Sequence, residues 1–305
     1  MAAFAHASHA SHAMIEWLDG GDVETARVGG KGASLNRLAR AGFRIPPGFC
    51  LTTDAFSAHA ATVPDFDDVR QDPAVLLDEA TRSALVDAML GGPLSQAVEA
   101  AITSPLHRLA GLALGDRGGP PLLAVRSSAV AEDGANASFA GLHETELGLT
   151  ADEVAPAVLR CWSSLWNDRA VGYRARHGLA LDGGAMAVVV QALVPALAAA
   201  VAFTRHPVTG RSDHVLINAV RGLGEEMVAG TVTPDTIVVD KADRSVVDFT
   251  PGDSGGGPAL ADDVLDDLVA LCLEVERAFG APVDIEAAHA ADGWYLLQAR
   301  PITTP

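Results

Sequence analysis

The chain reads as an α+β fold. Helical and strand-like patterns mix without a regular βαβ repeat, apolar runs of strand length recur between residues 186 and 240, and the last twenty residues carry a hairpin signal.

Residues 1–13 form an Ala/His/Ser tract with His6, His9 and His12 spaced by three, which reads as a disordered tail, with metal binding as the alternative. It has no cationic start and no h-region, so no signal peptide is expected. Regular structure is expected from Met14. Lys31 to Ala41 patterns as a helix with Leu35, Leu38 and Ala39 on one face, ended by Gly42 and then Pro46-Pro47. Residues 72–113 are helical, interrupted by Gly91-Gly92-Pro93. After the break Gly118-Gly119-Pro120-Pro121, the run Leu122–Val125 reads as a buried strand ending at Arg126. Helical patterning returns over 151–180. Gly183-Gly184 is the expected boundary between an N-terminal lobe (14–184) and a C-terminal lobe (185–305). Strand-like runs follow at 186–193, 199–204, 214–219 and 236–240. A Gly/Pro-rich loop at 251–258 precedes an acidic amphipathic helix at 261–279, and a hairpin of 281–290 and 294–300 closes the chain.

Composition narrows the function. A formal net charge of −18 weighs against partners with anionic surfaces, so neither nucleic acid nor membrane is expected as a ligand. No apolar run approaches the roughly 18 residues of a membrane span. Cys50, Cys161 and Cys272 are far apart, with no metal-type pairing. They read as reduced core thiols, which fits a cytoplasmic location.

Four segments carry chemistry. In the hairpin, a three-residue loop Ala291-Asp292-Gly293 makes positions summing to 584 face each other. Glu286 then opposes Gln298, Asp284 opposes Arg300, and the strand period of two puts all four on one face. Carboxylate oxygens suit Mg²⁺ and a guanidinium suits phosphate, but the same four residues also describe a cross-strand ion pair on a solvated face. Gly29-Gly30-Lys31-Gly32 opens a helix whose amides and Lys31 could meet an anion. It lacks the spacing of a Walker A loop and, taken alone, reads first as an ordinary Gly-rich helix start. Arg126-Ser127-Ser128 follows a buried strand, and residues 130–145 look like a mobile loop able to fold over phosphates; an ordinary surface loop with a salt-bridged arginine is the alternative. Gln191 interrupts the apolar strand Ala187–Val194, either as a satisfied core amide or at the end of a strand that reads an adenine. Gly222-Leu223-Gly224-Glu225 and Thr231–Asp235 add a turn and a polar loop before another strand.

Taken in order, these segments resemble the N-terminal, ATP-grasp nucleotide-binding domain of the phosphoenolpyruvate synthase, pyruvate phosphate dikinase and rifampin phosphotransferase family. The matching passages are VGGKGASLNRLARAGFRIPPGFCLTTDAF (28–56), AVRSSAVAEDGANASFAGLHET (124–145), VVVQALVPA (188–196), FTRHPVTG (203–210), GLGEEMVAGTVTPDT (222–236) and DIE…LLQARPITT (284–304). The resemblance implies an ATP-grasp fold of two lobes with the nucleotide between them, ATP and Mg²⁺ as cofactors, and an ATP-dependent phosphotransferase. It implies that Lys31, Arg126 and Arg300 are the catalytic, phosphate-holding cations. Glu286 and Gln298 would bind Mg²⁺ with Asp284 beside them, and Gln191, Leu193 and Val194 would line the adenine pocket. Ser127, Gly141 and Thr145 would complete the nucleotide site.

The chain differs from the family pattern at Leu197, where a Glu is usual, and at Arg205-His206, where an Ala-Asp pair is usual. It also differs at Asn218 and Arg221, near which Glu and Trp are common. Family members continue into a swivelling domain whose histidine carries phosphate. For this chain the expected acceptor is therefore a small-molecule hydroxyl or nitrogen, or a histidine on a separate phosphocarrier protein. Dikinase-like release of AMP and phosphate is expected over ADP. The competing readings are an ATP-grasp ligase forming an acyl phosphate and then an amide, and a non-catalytic nucleotide-binding subunit.

Overall fold

The computed structural model describes residues 14–112, 120–130, 145–181, 184–253 and 257–302. These residues pack as two units, one over 14–36 and 47–193, the other over 37–46 and 194–302. The histidine tract at 1–13 and most of the segment expected as a phosphate-covering loop, including Gly141, lie outside the described residues.

The first unit runs β1 (Ile15–Trp17), α1 (Thr25–Arg40, its last turn packing in the second unit), β2 (Gly48–Leu51), α2 (Thr53–Ala60), α3 (Phe66–Gln71), α4 (Glu79–Leu90) and α5 (Gln96–Ala110). It continues with β3 (Leu123–Ala129), β4 (Thr145–Leu149), α6 (Val154–Ser163), α7 (Asp168–His177) and β5 (Met186–Ala192). Its five strands lie in the order β1-β2-β5-β3-β4, every neighbouring pair antiparallel. β5 is central and every residue of it is buried, which explains an apolar run with no alternation. The expected division at Gly183-Gly184 precedes β5. Because β5 pairs with both β2 and β3, the units part after Leu193 instead.

One face of this sheet carries the core. Phe49 and Leu51 of β2, Leu123 and Val125 of β3, and Val188 and Val190 of β5 pack with Phe56, Trp162 and Trp166 from the helices. Trp162 is wholly buried, and its indole N–H donates to Met186 O over 3.0 Å, so its one polar atom is satisfied in the core. Gly91-Gly92-Pro93 separates α4 from α5 as its composition predicts. Strand β3 differs from expectation. It runs on through Arg126, Ser127 and Ser128 to Ala129 because β5 pairs with it along that whole length, so Arg126 sits mid-strand and not at a strand end.

The second unit contains β6 (Ala198–Phe203), β7 (His214–Arg221), the short α8 (Glu225–Val228), β8 (Asp235–Asp240), β9 (Val246–Thr250), α9 (Asp262–Phe279), β10 (Val283–Ala290) and β11 (Gly293–Pro301). The strands form a six-stranded antiparallel sheet in the order β11-β10-β6-β7-β8-β9. Alternation is clear here: Ala200, Ala202, Ile217, Ile237, Ile285 and Ala299 are buried with Leu268, Val269, Cys272 and Val275 of α9. The residues between them, Val201, Phe203, Leu216, Asn218, Thr236, Val238, Asp284 and Glu286, are half-buried on the opposite, open face. All three cysteines are buried thiols rather than disulfides, as their spacing suggested. Burial pushes the Cys272 thiol up to about 12 and raises Cys50 as well.

Candidate functional site

In the first unit the site begins where α1 begins. Gly29 breaks the helical geometry with φ 70° and ψ 178°, so the regular helix starts beside Lys31, as the two glycines predicted. The position cannot carry a side chain: a Cβ on Gly29 would lie 2.0 Å from Ser128 O. Ser128 locks this approach. Its hydroxyl donates to Val28 O over 2.7 Å and accepts from Gly32 N over 3.1 Å, serving a backbone group on each side of Lys31. Nothing in the motif distinguished this buried serine from Ser127. It is Ser128 that holds the helix start, whereas Ser127 is buried on the core side of β3.

Strand register then gathers the remaining residues. Core residues alternate along β3, so Arg126, Ser128 and Ala124 share its other face. On that face Arg126 pairs with Thr145 of β4 on one side and Val189 of β5 on the other, and Ala124 pairs with Gln191. The sequence-predicted residues Lys31, Arg126, Thr145 and Gln191 therefore belong to one side of one sheet. Gln191 is itself buried and packs over Gly48, where a Cβ would come within 2.6 Å of Gln191 Cγ. Beyond β5, Leu193 N–H donates to Leu122 O over 2.8 Å.

In the second unit the hairpin reproduces the predicted opposition. Asp284 pairs with Arg300 and Glu286 with Gln298. The route differs from the three-residue loop expected. Ala290 pairs with Gly293, so the turn holds two residues, and a bulge between Glu286 and Ala287 leaves Leu297 as the extra residue on β11. Without that bulge Gln298 and Arg300 would turn to the core face.

Arg300 Nε donates to Asp284 Oδ2 over 2.8 Å, so the cross-strand ion pair is present. Burial pushes the Asp284 carboxyl up, with Arg300 opposing the rise and the nearby Glu286 adding to it. Toward the turn the same face becomes apolar: Val194, Ala288, Ala290 and Tyr295 cluster with Ala196 and Leu297. Arg44 stacks 4.1 Å over the Tyr295 ring, donates to its hydroxyl, and is paired with Asp292.

The residues where the chain departs from the family pattern have visible structural jobs. His206 Nδ1 accepts from the N–H groups of Val208 and Thr209, and Arg205 Nε donates to Gly210 O, so both hold the turn after β6. Arg221 donates to the carbonyls of Gly257 and Pro258. Leu197 keeps an exposed side chain, while its backbone joins His289 O and Gly222 N. In the Thr231–Asp235 loop, buried Asp235 accepts from Gly252 N and Ala259 N, a capping role that sequence reading missed. Glycine is required at 252, where a Cβ would meet Thr233 O at 2.2 Å.

Mg²⁺ characteristically binds through one or two carboxylates together with substrate phosphates and water. Glu286 and Gln298 offer hard oxygen donors side by side, with Asp284 already engaged by Arg300, so the donor set fits that habit. Among the described residues no group of three or more His, Cys, Asp or Glu is arranged to hold a metal alone.

The model of the family described as pyruvate phosphate dikinase, AMP/ATP-binding domain matches residues 25–255. The chain belongs to this family. With that membership comes the ATP-grasp class of α+β fold that the six motifs pointed to. A rifampicin phosphotransferase of Streptomyces sp is 38% identical, aligned over 92% of this chain and 34% of its own length. The prodigiosin synthesizing transferase PigC of Serratia marcescens is 36% identical over 92% of this chain and 32% of its own. A probable phosphoenolpyruvate synthase of Methanocaldococcus jannaschii is 35% identical over 95% of this chain and 27% of its own. The chain thus spans about a third of the length of these relatives. Among the described residues of this family member, no helix is long and apolar enough to cross a membrane.

Proposed function

We propose that this chain is an ATP- and Mg²⁺-dependent phosphotransferase, passing a phosphoryl group to a small-molecule hydroxyl or nitrogen or to a histidine on a separate phosphocarrier protein. The observation that carries the reading is the open face of the second sheet, where Glu286 opposes Gln298 and Asp284 opposes Arg300, in a chain of the AMP/ATP-binding family. Relatives named for phosphoryl transfer to rifampicin and for phosphoenolpyruvate synthesis support the reaction class.

In this reading Lys31, Arg126 and Arg300 offset the negative charge of the phosphates, and Arg300 is held in place by Asp284. Glu286 and Gln298 would hold Mg²⁺, which would supply positive charge to offset the negative charge of the phosphates. Thr145, paired with Arg126, lies beside the same phosphates. Ser127 is buried on the core side and contributes through the shape of β3. The base is read near Gln191, Leu193 and Val194. The Leu193 N–H is used by Leu122 O and the Val194 carbonyl by Ala196 N–H. Among the described residues the Leu193 carbonyl and the Val194 N–H have no backbone partner, and this reading gives them to an adenine edge. Phosphoryl transfer depends mainly on positioning and charge stabilisation, so this set suffices for the chemistry once an acceptor is present.

Titration calorimetry of ATP with and without Mg²⁺, on the wild type and Glu286→Gln, tests the assignment. The wild type is expected to bind ATP more tightly with Mg²⁺, and Glu286→Gln to lose that Mg²⁺ dependence. A Glu286→Gln variant with the wild-type Mg²⁺ response would remove the metal role from this face.

A further inference from the structure

We propose that Asn218, oriented by Thr236, is a further ligand-contacting residue whose amide N–H₂ donates to the outer phosphates of the nucleotide. The inference rests on the assignment of ATP to the open face of the second sheet. Register places the residues. Gln298 pairs with Glu286, Glu286 with Val201, Val201 with Asn218, and Asn218 with Thr236, so the five form one row across five strands. Val201, Asn218 and Thr236 are half-buried on the open side, while Ala202, Ile217 and Ile237 beside them are in the core. Neighbouring strands lie about 4.8 Å apart, which puts Asn218 about 10 Å across the sheet from Glu286.

Thr236 Oγ1 donates to Asn218 Oδ1 over 3.0 Å. A hydroxyl that donates to the amide oxygen on the β8 side orients the amide, because oxygen and nitrogen diverge from the same carbon. The nitrogen is thereby turned from β8 toward the side on which Val201 and Glu286 lie. Among the described residues this nitrogen has no hydrogen-bond partner.

The chemistry narrows what it meets. The apolar cluster of Val194, Ala288, Ala290 and Tyr295 occupies the turn end of β10 and β11, the end to which the proposed function assigns the base. Asn218 lies two strands to the side in the row of Glu286 and Gln298, with Val201 between, and one row removed from that cluster. A neutral amide there adds donors to phosphate oxygens without adding a further cation. Thr236 is a positioning residue: it acts through Asn218.

Calorimetric titration of ATP with Mg²⁺, and separately of AMP, tests this on the wild type, Asn218→Ala, Asn218→Asp, Thr236→Val and Thr236→Ser, each first checked for a cooperative thermal transition. Asn218→Ala is expected to weaken ATP binding about tenfold while leaving AMP unchanged, the scale of a lost hydrogen bond to a charged group. The isosteric Asn218→Asp should lose more, because it turns a carboxylate on the phosphates, and it serves equally if the alanine variant is unstable. Thr236→Val should fall between, and Thr236→Ser should match the wild type. Unchanged ATP affinity in the Asn218 variants, or equal loss for ATP and AMP, overturns the proposal. A wild-type chain that binds no ATP overturns the proposed function itself, a result distinguishable because it does not depend on Asn218.

Discussion

The buried Ser128 hydroxyl decides where Lys31 can be, since it bonds a backbone group on each side of that lysine. Lys31 and Arg300 are the two cations whose loss should tell most. Lys31→Ala and Arg300→Ala are each expected to weaken ATP binding about tenfold or more, the range for charge-assisted contacts of about 1.5–3 kcal/mol. Calorimetry checks this, and near-wild-type affinity in both variants would withdraw the phosphate assignment.

A second residue sets a pH limit. His59 is buried, stacks on Trp162 at 5.3 Å, and accepts the Ser95 N–H at Nδ1, while among the described residues Nε2 has no hydrogen-bond partner. Burial lowers its pKa below the ordinary 6.5. A neutral histidine in the folded state and a protonated one in the unfolded state mean that its contribution is complete above pH 6.5. That contribution is lost as pH falls through the lowered value. Thermal midpoints should therefore drop as pH goes from 7.5 toward 5.5, and His59→Phe should flatten that slope. An equal slope in the variant would assign the acid sensitivity elsewhere.

At the scale of the element, the start of α1 and the β10–β11 hairpin each carry candidate residues. The helix start depends on Gly29 at positive φ and in contact with Ser128. Gly29→Ala adds a left-handed strain of about 1–2 kcal/mol to a steric overlap, so the stability lost in a urea titration should exceed the strain alone. ATP affinity should fall with it because Lys31 moves with the helix start. A stable Gly29→Ala chain with normal ATP affinity would separate Lys31 from this geometry.

The hairpin shows how one residue redirects a strand. Three residues in the loop, or two in the turn plus a bulged Leu297, shift the register equally, and both bring Gln298 opposite Glu286. Sequence spacing could not choose between them. The apolar cluster of Tyr295, Ala288 and Val194 together with Leu297, and the Arg44 contacts to Asp292 and Tyr295, accompany the second arrangement.

For the molecule as a whole, the proposed phosphotransfer carries a prediction about which bond of ATP breaks. The dikinase-like set at Lys31, Arg126, Glu286, Gln298 and Arg300 leads us to expect AMP and phosphate. Phosphorus NMR of a reaction with the true acceptor checks it, and ADP as the sole nucleotide product would point to a simple kinase or a ligase. Independently of the acceptor, ATP with Mg²⁺ should raise the thermal midpoint. Binding to the native state at a hundred times Kd stabilises by about 2.7 kcal/mol. No shift at saturating ATP would contradict nucleotide binding by the chain. The net charge of −18 makes the local cations Lys31, Arg126 and Arg300 stand out against an acidic background.

The sequence by itself determined the α+β class, the placing of most helices and of most strands after residue 185, and the family, because hydrophobic period, Gly/Pro breaks and ordered motifs are all local signals. It missed β1, β2, β4 and β9, which are three to five residues long and too short for a periodic signal. Tertiary structure alone decided that β3 continues through Arg126, that Ser128 and not Ser127 supports Lys31, and that Asp235 caps a loop. It also decided that a bulge at Leu297 turns Gln298 and Arg300 outward. Each of these depends on a partner strand or backbone group distant in the chain, and local spacing carries no record of what lies across a sheet.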